Sequence, residues 1–200
     1  PAWVHTCALE APSVHRMVNY LVCDDRATLL YMANLGCIEL HPWLSRLPHL
    51  DRPDHLVIDL DPQGNSTHYL LGDGHDDAER SAAGFFDQTL RFTARPRETD
   101  DFAVDTPWNG LRLMPSHPQL DELHAKLESR YKIYKLRDAL VDLADTYDRI
   151  YIDTPPALNF YTRSALIAGE ACLIPFDCDS FSRQALYSLL ESVEEIREDH

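Results

Sequence analysis

Short apolar runs alternate with amphipathic stretches along most of the chain. Apolar runs of strand length occur at 55–61, 111–114, 149–153 and 171–176, and a shorter one at 37–40. Apolar residues at helical spacing predict helices at 25–35, 82–90, 118–127, 136–144, 161–168 and 182–197. Residues 1–23 show no strong period. Strands that alternate with helices favour an α/β fold with three layers and a mainly parallel sheet.

The first and third of these helices carry recognisable end signals. Asp24 or Asp25 can cap the first helix, and Gly36 can end it. Pro118 suits the first turn of the helix at 118–127. The last helix has an acidic face that includes Glu191 and Glu194, and it predicts a solvated surface.

Composition narrows the class of protein. The 200 residues include 33 acidic and 18 basic side chains, for a formal charge of −15, which argues against broad, charge-driven nucleic-acid binding. No apolar run approaches the roughly 20 residues that cross a bilayer, so we expect no membrane association. The five cysteines form no C-x-x-C pair, which favours reduced thiols in a cytoplasmic protein. The chain opens on Pro1 rather than Met, which suggests a fragment.

Two predicted strands end in carboxylates. Asp59 and Asp61 close the run at 55–61, and Asp153 closes the run at 149–153. In a parallel sheet these ends share one edge, where ligands bind, and carboxylate oxygens suit Mg²⁺. The alternative is a polar strand end that simply enters a turn at Pro62, and D-x-D alone does not decide between the two. The common edge favours the metal site.

Four motifs follow one another from residue 56 onward: V-I-D-L-D-P-Q-G-N-S at 57–66, L-M-P-S at 113–116, Y-D-R-I-Y-I-D-T-P-P at 147–156 and C-L-I-P-F-D at 172–177. This combination resembles that of the ParA/MinD family of deviant-Walker ATPases. It implies a partition ATPase that uses ATP and Mg²⁺, with a ParB-type protein and nucleoid DNA as partners and a possible homodimer.

The same resemblance implies roles for individual residues. Asp61 would orient the attacking water, Asp153 would lie near Mg²⁺, and Asp59 would support the same region. The residues implied at the nucleotide are Gln63, Gly64, Asn65, Pro175 and Asp177.

Residues 1–62 carry a different set of motifs: P-A-W-V at 1–4, H-P-W-L-S-R at 41–46 and R-P-D-H-L-V-I-D-L-D-P at 52–62. This set resembles the primase-type polymerase domain of bacterial DNA ligase D. It implies that Asp59 and Asp61 bind two catalytic metals, Mg²⁺ or Mn²⁺, and that His41 acts near the incoming nucleotide. From the residues alone, a turn histidine before Pro42 is the simpler interpretation of His41.

The two resemblances meet in the strand at 56–62, which both families share. We therefore predict a ligase D polymerase-like fragment at 1–55, joined through that strand to a ParA-like fragment at 56–200. The fold expected is of the P-loop NTPase type without its first strand and phosphate loop, with an appended N-terminal helix and strand.

Lysine and glycine counts bear on both implied activities. Residues 1–55 contain one glycine, Gly36, and no lysine. A phosphate loop needs glycines for its backbone cradle and a lysine to offset phosphate charge. The polymerase's later K-T-S-G-G-K-G segment is also missing beyond Pro62. The hypotheses are therefore a ParA-like fragment unable to hydrolyse ATP, a ligase D polymerase fragment, or a spliced chimera without function.

Overall fold

The computed structural model describes residues 3–11, 15–23, 25–34, 53–92, 94–174 and 180–199. The chain divides into two compact units, residues 1–42 and 43–200. The predictions for His41, Pro175, Asp177 and the strand at 37–40 lie outside the described residues.

The first unit contains a hairpin and a helix. Strands β1 (Thr6–Ala11) and β2 (Arg16–Leu21) pair antiparallel, and helix α1 spans Arg26–Asn34. The cap predicted at Asp25 is confirmed, because its Oδ1 accepts a hydrogen bond of 2.6 Å from the Thr28 backbone N–H. The hairpin was not predicted. On β2, Val18 and Tyr20 are half-buried, but the apolar Met17 and Leu21 lie on the exposed face, so the sequence shows no clear alternation of apolar and polar residues.

The second unit alternates strands and helices. Its strands are β3 (His55–Asp59), β4 (Val104–Asp105), β5 (Leu111–Met114) and β6 (Arg149–Asp153). Its helices are α2 (Asn65–Leu71), α3 (Ala82–Leu90), α4 (Gln119–Ser129), α5 (Lys135–Leu143), α6 (Phe160–Ala168) and α7 (Ser180–Asp199). Two 3₁₀ turns lie at Ala78–Arg80 and Thr99–Phe102.

The sheet of this unit is mixed and mostly parallel. Its order is β4-β5-β3-β6, with β3 parallel to both β5 and β6 and with β4 antiparallel to β5. The register aligns Val57 of β3 with Leu113 of β5 and Tyr151 of β6. The predicted α/β class and mainly parallel sheet are therefore confirmed.

The hydrophobic core of this unit lies between one face of the sheet and the helices. On β3, Leu56 and Ile58 are fully buried, whereas the alternate residues His55 and Val57 stay partly exposed. Buried side chains of the helices complete the core: Phe86, Leu120, Leu123, Leu127, Leu136, Leu143, Phe160 and Tyr161. Burial alternates along β3 and recurs every three or four residues along α4, as expected for the predicted strand and the predicted helix.

Two predictions about elements are wrong. The strand at 171–176 does not form over 171–174, where Leu173 is 93 % exposed. An apolar run becomes a strand only with a neighbour to pair with, and none of the described strands pairs with it. Pro118 precedes α4 as its N-cap instead of lying inside the first turn. Helix α2 was not predicted, because its first turn is polar and the helix has only seven residues.

The longest helix, α7, matches its prediction closely. Glu191, Glu194 and Glu198 are exposed, whereas Val193 and Ile196 are half-buried, so the acidic face is solvated as expected. Among the described residues, no helix combines the length and apolar character needed to cross a bilayer.

Candidate functional site

The carboxyl ends of β3 and β6 lie side by side. The parallel register pairs Asp59 with Asp153, so the two predicted carboxylates occupy neighbouring positions at one edge of the sheet. The Leu60 backbone N–H donates to the Asp153 carbonyl oxygen at 2.9 Å and extends this pairing by one residue. The common edge inferred from the sequence is therefore present for these two residues.

The third carboxylate, Asp61, belongs to the turn that follows β3. The strand ends at Asp59, so the period of two no longer applies at Asp61. The Asp61 Oδ1 accepts a hydrogen bond of 3.0 Å from the Gln63 backbone N–H, and its carbonyl oxygen accepts one of 2.8 Å from Gly64. Gly64 has φ +65, a left-handed conformation that glycine adopts without steric cost, and α2 begins at the next residue.

Asp59 is fully buried, and protein donors surround it. Its Oδ1 accepts from the Asp61 backbone N–H at 3.1 Å. Its Oδ2 accepts from the Thr67 backbone N–H at 2.8 Å and from the Thr67 hydroxyl at 2.7 Å. Burial raises the pKa of Asp59, these donors oppose that rise, and the nearby charge of Asp153 adds to it.

Three hydroxyl side chains connect the carboxylates to the rest of the site. The Ser66 hydroxyl donates to Asp153 Oδ2 at 2.6 Å. The Thr67 hydroxyl oxygen accepts from the Ser116 backbone N–H at 2.8 Å, and the Ser116 hydroxyl donates to the Asp61 carbonyl oxygen. The first turn of α2 therefore holds the ends of β3 and β6 and the residues after β5 in one network.

Sequence reasoning assigned no role to these hydroxyls. Ser66 and Ser116 lie within the motifs that carry the ParA resemblance, and that position is the signal from which they could have been found. Two of the residues predicted at the nucleotide lie at the protein surface. Gln63 and Asn65 are exposed, and the Asn65 amide donates to Gln63 Oε1 at 3.4 Å.

The donor set fits Mg²⁺ only in part. Among the described residues, no three His, Cys, Asp or Glu side chains converge as a metal cage. Both oxygens of Asp59 already accept protein hydrogen bonds, whereas Asp153 is half-buried and has Ser66 as its partner. Carboxylate and hydroxyl oxygens are hard ligands, and Mg²⁺ commonly takes one or two carboxylates with waters and substrate phosphates. Asp153 and Ser66 therefore suit a Mg²⁺ ion that nucleotide phosphates complete.

Two known protein families match this chain. The family model described as an AAA domain matches residues 54–200, and the model described as LigD, primase-polymerase domain, matches residues 1–71. The chromosome partitioning protein ParA of Myxococcus xanthus is 30% identical over 144 residues, which cover 72% of this chain and 48% of that protein. The chain spans about half the length of the curated relatives it matches.

Solved structures share the fold. Cobyrinic acid a,c-diamide synthase from Mycobacterium smegmatis, with bound ADP and magnesium, is 27% identical with a TM-score of 0.61, over 72% of this chain and 55% of that one. Apo McdA from Cyanothece is 23% identical with a TM-score of 0.63, over 72% and 55%.

The paired ends of β3 and β6, with Asp59, Asp153 and the turn that holds Asp61, form what we call the carboxylate edge of this α/β domain. The chain belongs to the AAA domain family. Its residues 54–200 form a ParA-like partition ATPase segment. Its N-terminal residues carry the additional match to the primase-polymerase domain.

Proposed function

We propose that residues 54–200 are a nucleotide-associated segment of a ParA-type partition ATPase that does not hydrolyse ATP in this chain. The observation that carries the proposal is the pairing of Asp59 with Asp153 at the ends of parallel strands, where Thr67 and Ser66 hold them. The proposed fold is of the three-layer P-loop NTPase type, without its first strand and phosphate loop. The proposed fragment boundaries are 1–55 and 56–200, with the strand at 56–62 shared.

The three carboxylates take different parts in this proposal. Asp153 would hold Mg²⁺ with Ser66, and the ion would supply charge to offset the phosphates. Asp61, only 8% exposed, would orient water through the oxygen that Gln63 leaves free. Asp59, whose two oxygens already have three donors, would position the Asp61 turn and α2 instead of binding the metal.

The nucleotide itself would lie against the turn at 63–65 and against Pro175 and Asp177, as the resemblance implies. The residues ahead of β3 offer no phosphate cradle, since residues 1–53 contain one glycine and no lysine. Arginine does not replace the lysine well, because the guanidinium is a broad planar group where a compact point charge is needed. Tight ATP binding and hydrolysis are therefore not expected.

Partners follow from the family alone. A ParB-type partition protein, nucleoid DNA and a second copy of the chain are the proposed partners, in the cytoplasm. Each belongs to the whole partition ATPase, of which this chain covers about half.

Phosphate release from ATP with Mg²⁺ tests this proposal. We expect no release above that of the Asp61→Ala and Asp153→Asn variants. Release by the original chain that either variant abolishes would show that the missing loop does not matter, and would overturn the predicted inactivity.

A second function is favoured by the family match over residues 1–71, which include His41, Asp59 and Asp61. It is template-dependent nucleotide addition with Mn²⁺, in which Asp59 and Asp61 would each hold a metal. The three protein donors on Asp59 argue against that role, because two metals would have to displace them. Primer extension with ribonucleotides and Mn²⁺ would establish this function.

The third hypothesis is a joined chain with no activity of its own. Absence of both Mg²⁺-dependent ATP binding and primer extension, together with one cooperative unfolding transition, would support it. Cooperative unfolding is needed because an unfolded chain would also be inactive.

A further inference from the structure

Helix α4 ends in a hydrogen-bond pattern that normally contains glycine. The Tyr131 N–H donates to the Glu128 carbonyl at 3.1 Å, and the Lys132 N–H donates to the Leu127 carbonyl at 3.1 Å. These two bonds form a Schellman motif, whose left-handed residue is usually glycine. Here Tyr131 occupies that position with φ +54, although a side chain makes this conformation unfavourable.

Packing of the Tyr131 ring against the protein does not offset the energetic cost of this conformation. Its side chain is 89% exposed. A second aromatic ring, Phe92, follows α3 and is fully exposed at 101%. Both rings therefore lie outside the hydrophobic core and are open to a ligand.

The two chain segments that carry these rings lie next to each other. The Arg130 guanidinium donates from Nη1 to the Leu90 carbonyl oxygen at 2.8 Å and joins the end of α4 to the end of α3. Phe92 lies two residues beyond Leu90, and Tyr131 follows Arg130 directly. We call this surface the basic–aromatic patch, and its residues are Arg91, Phe92, Lys126, Arg130, Tyr131 and Lys132.

The patch coincides with the most basic stretch of an acidic chain. Residues 126–138 contain five basic and two acidic side chains, among them all three lysines of the chain, whereas the whole chain carries −15. Two acidic residues near the patch, Asp87 in α3 and Glu128 in α4, each lie close to a basic side chain. Arg91 pairs with Asp87, and Glu128 lies 3.9 Å from Arg163. Lys126, Arg130 and Lys132 form no ion pair among the described residues.

Exposed rings beside unpaired cations match the chemistry of single-stranded nucleic acid. Unstacked bases lie on aromatic faces, and phosphates take the cations. Binding of an acidic peptide would account for the cations but not for the two exposed aromatic rings. We infer that the basic–aromatic patch binds single-stranded nucleic acid, with bases stacked on Tyr131 and Phe92. This inference goes beyond the proposed function, since the patch lies at the ends of α3 and α4 and not at the carboxylate edge.

Fluorescence anisotropy of a labelled oligothymidine of about 16 nucleotides, the upper end of the site sizes known for such surfaces, tests the inference on the full chain. Stacking losses of the usual size predict that Tyr131→Ala and Phe92→Ala each weaken binding about 5- to 100-fold. Tyr131→Phe keeps the ring and is expected to bind like the original chain. Tyr187→Ala, which removes an exposed tyrosine from acidic α7, is the matched control and should leave binding unchanged.

Tyr131→Gly separates binding from folding. Glycine suits φ +54, so this variant should unfold no earlier in urea than the original chain while losing the same affinity as Tyr131→Ala. Lys132→Gln should also lower the slope of log affinity against log salt by about 0.7, the share of one phosphate contact. The inference is wrong if the original chain does not bind at low salt, if Tyr131→Gly binds equally well, or if duplex DNA binds as tightly as the single strand.

Discussion

Among the residues of the carboxylate edge, Thr67 makes hydrogen bonds to two buried partners. Its hydroxyl donates to Asp59 and accepts from Ser116, while its own backbone N–H also donates to Asp59. Both partners are buried, so neither can turn to water if the hydroxyl is lost. One side chain thus satisfies two buried polar groups, one at the end of β3 and one in the segment after β5.

Thr67→Val keeps the shape of the side chain and removes this hydroxyl. We expect it to lower the free energy of unfolding by about 2–4 kcal/mol, because a bond to a carboxylate is lost and the Ser116 N–H is left unpaired. Urea unfolding measures the effect. Thr67→Ser is the matched control, and it should cost only about 1 kcal/mol, the value of one buried methyl group. Equal losses in the two variants would mean that the methyl group, and not the hydroxyl, matters.

The carboxylates of this edge could be predicted from the sequence, whereas the hydroxyls could not. An apolar run that ends in Asp59 or Asp153 marks the carboxyl end of a buried strand, and such ends meet at one edge. Ser66 and Thr67 follow no such pattern, because their contacts depend on where α2 starts after the Gly64 turn. Contacts made across 49 to 87 residues, as in Ser116–Thr67 and Ser66–Asp153, are set by the tertiary fold.

At the scale of elements, a polar network joins β5 to the residues before β6. The Arg112 guanidinium lies 2.6 Å from Asp100, donates to the Tyr147 oxygen at 2.9 Å and to the Ala103 carbonyl at 2.8 Å. The Tyr147 hydroxyl also donates to Asp100. Burial and the bond to Asp100 raise the pKa of Tyr147 well above its ordinary value of 10.0.

Tyr147→Phe removes the hydroxyl from this network. Near neutral pH we expect it to lower the free energy of unfolding by about 1–3 kcal/mol, through the lost hydrogen bonds. The folded chain holds the Tyr147 proton more tightly than the unfolded chain does, so this stability is complete below pH 10 and declines as pH rises above 10. Urea unfolding at pH 7 and pH 10.5 should therefore show a smaller difference between the two proteins at the higher pH. A difference that grows with pH would contradict the direction of the shift.

Elements with a buried face could be predicted well, and elements without one could not. Helix α3 and strands β5 and β6 have the predicted bounds, since each presents an apolar side to the core. Strand β2 carries apolar residues on both faces, with Val18 and Tyr20 half-buried and Met17 and Leu21 exposed, so its period of two is hidden in the sequence. Residues 171–174 show the opposite case, in which an apolar run is present but forms no strand.

At the scale of the molecule, two family matches share one chain. They overlap at residues 54–71, which include β3 and all of α2. The chain therefore keeps the carboxylate edge of a ParA-like segment, while the residues ahead of β3 match the other family model and include no lysine. Under the proposed function, this arrangement holds residues typical of ATP chemistry in place without a phosphate loop.

Equilibrium binding of a fluorescent ATP analogue in the presence of Mg²⁺ tests that account most directly. At micromolar concentrations of the folded chain, we predict no saturable binding and no difference between the original chain and Asp153→Asn. Saturable, Mg²⁺-dependent binding that Asp153→Asn weakens tenfold or more, about 1.4 kcal/mol, would contradict it, because the carboxylate edge would then bind ATP without a phosphate loop.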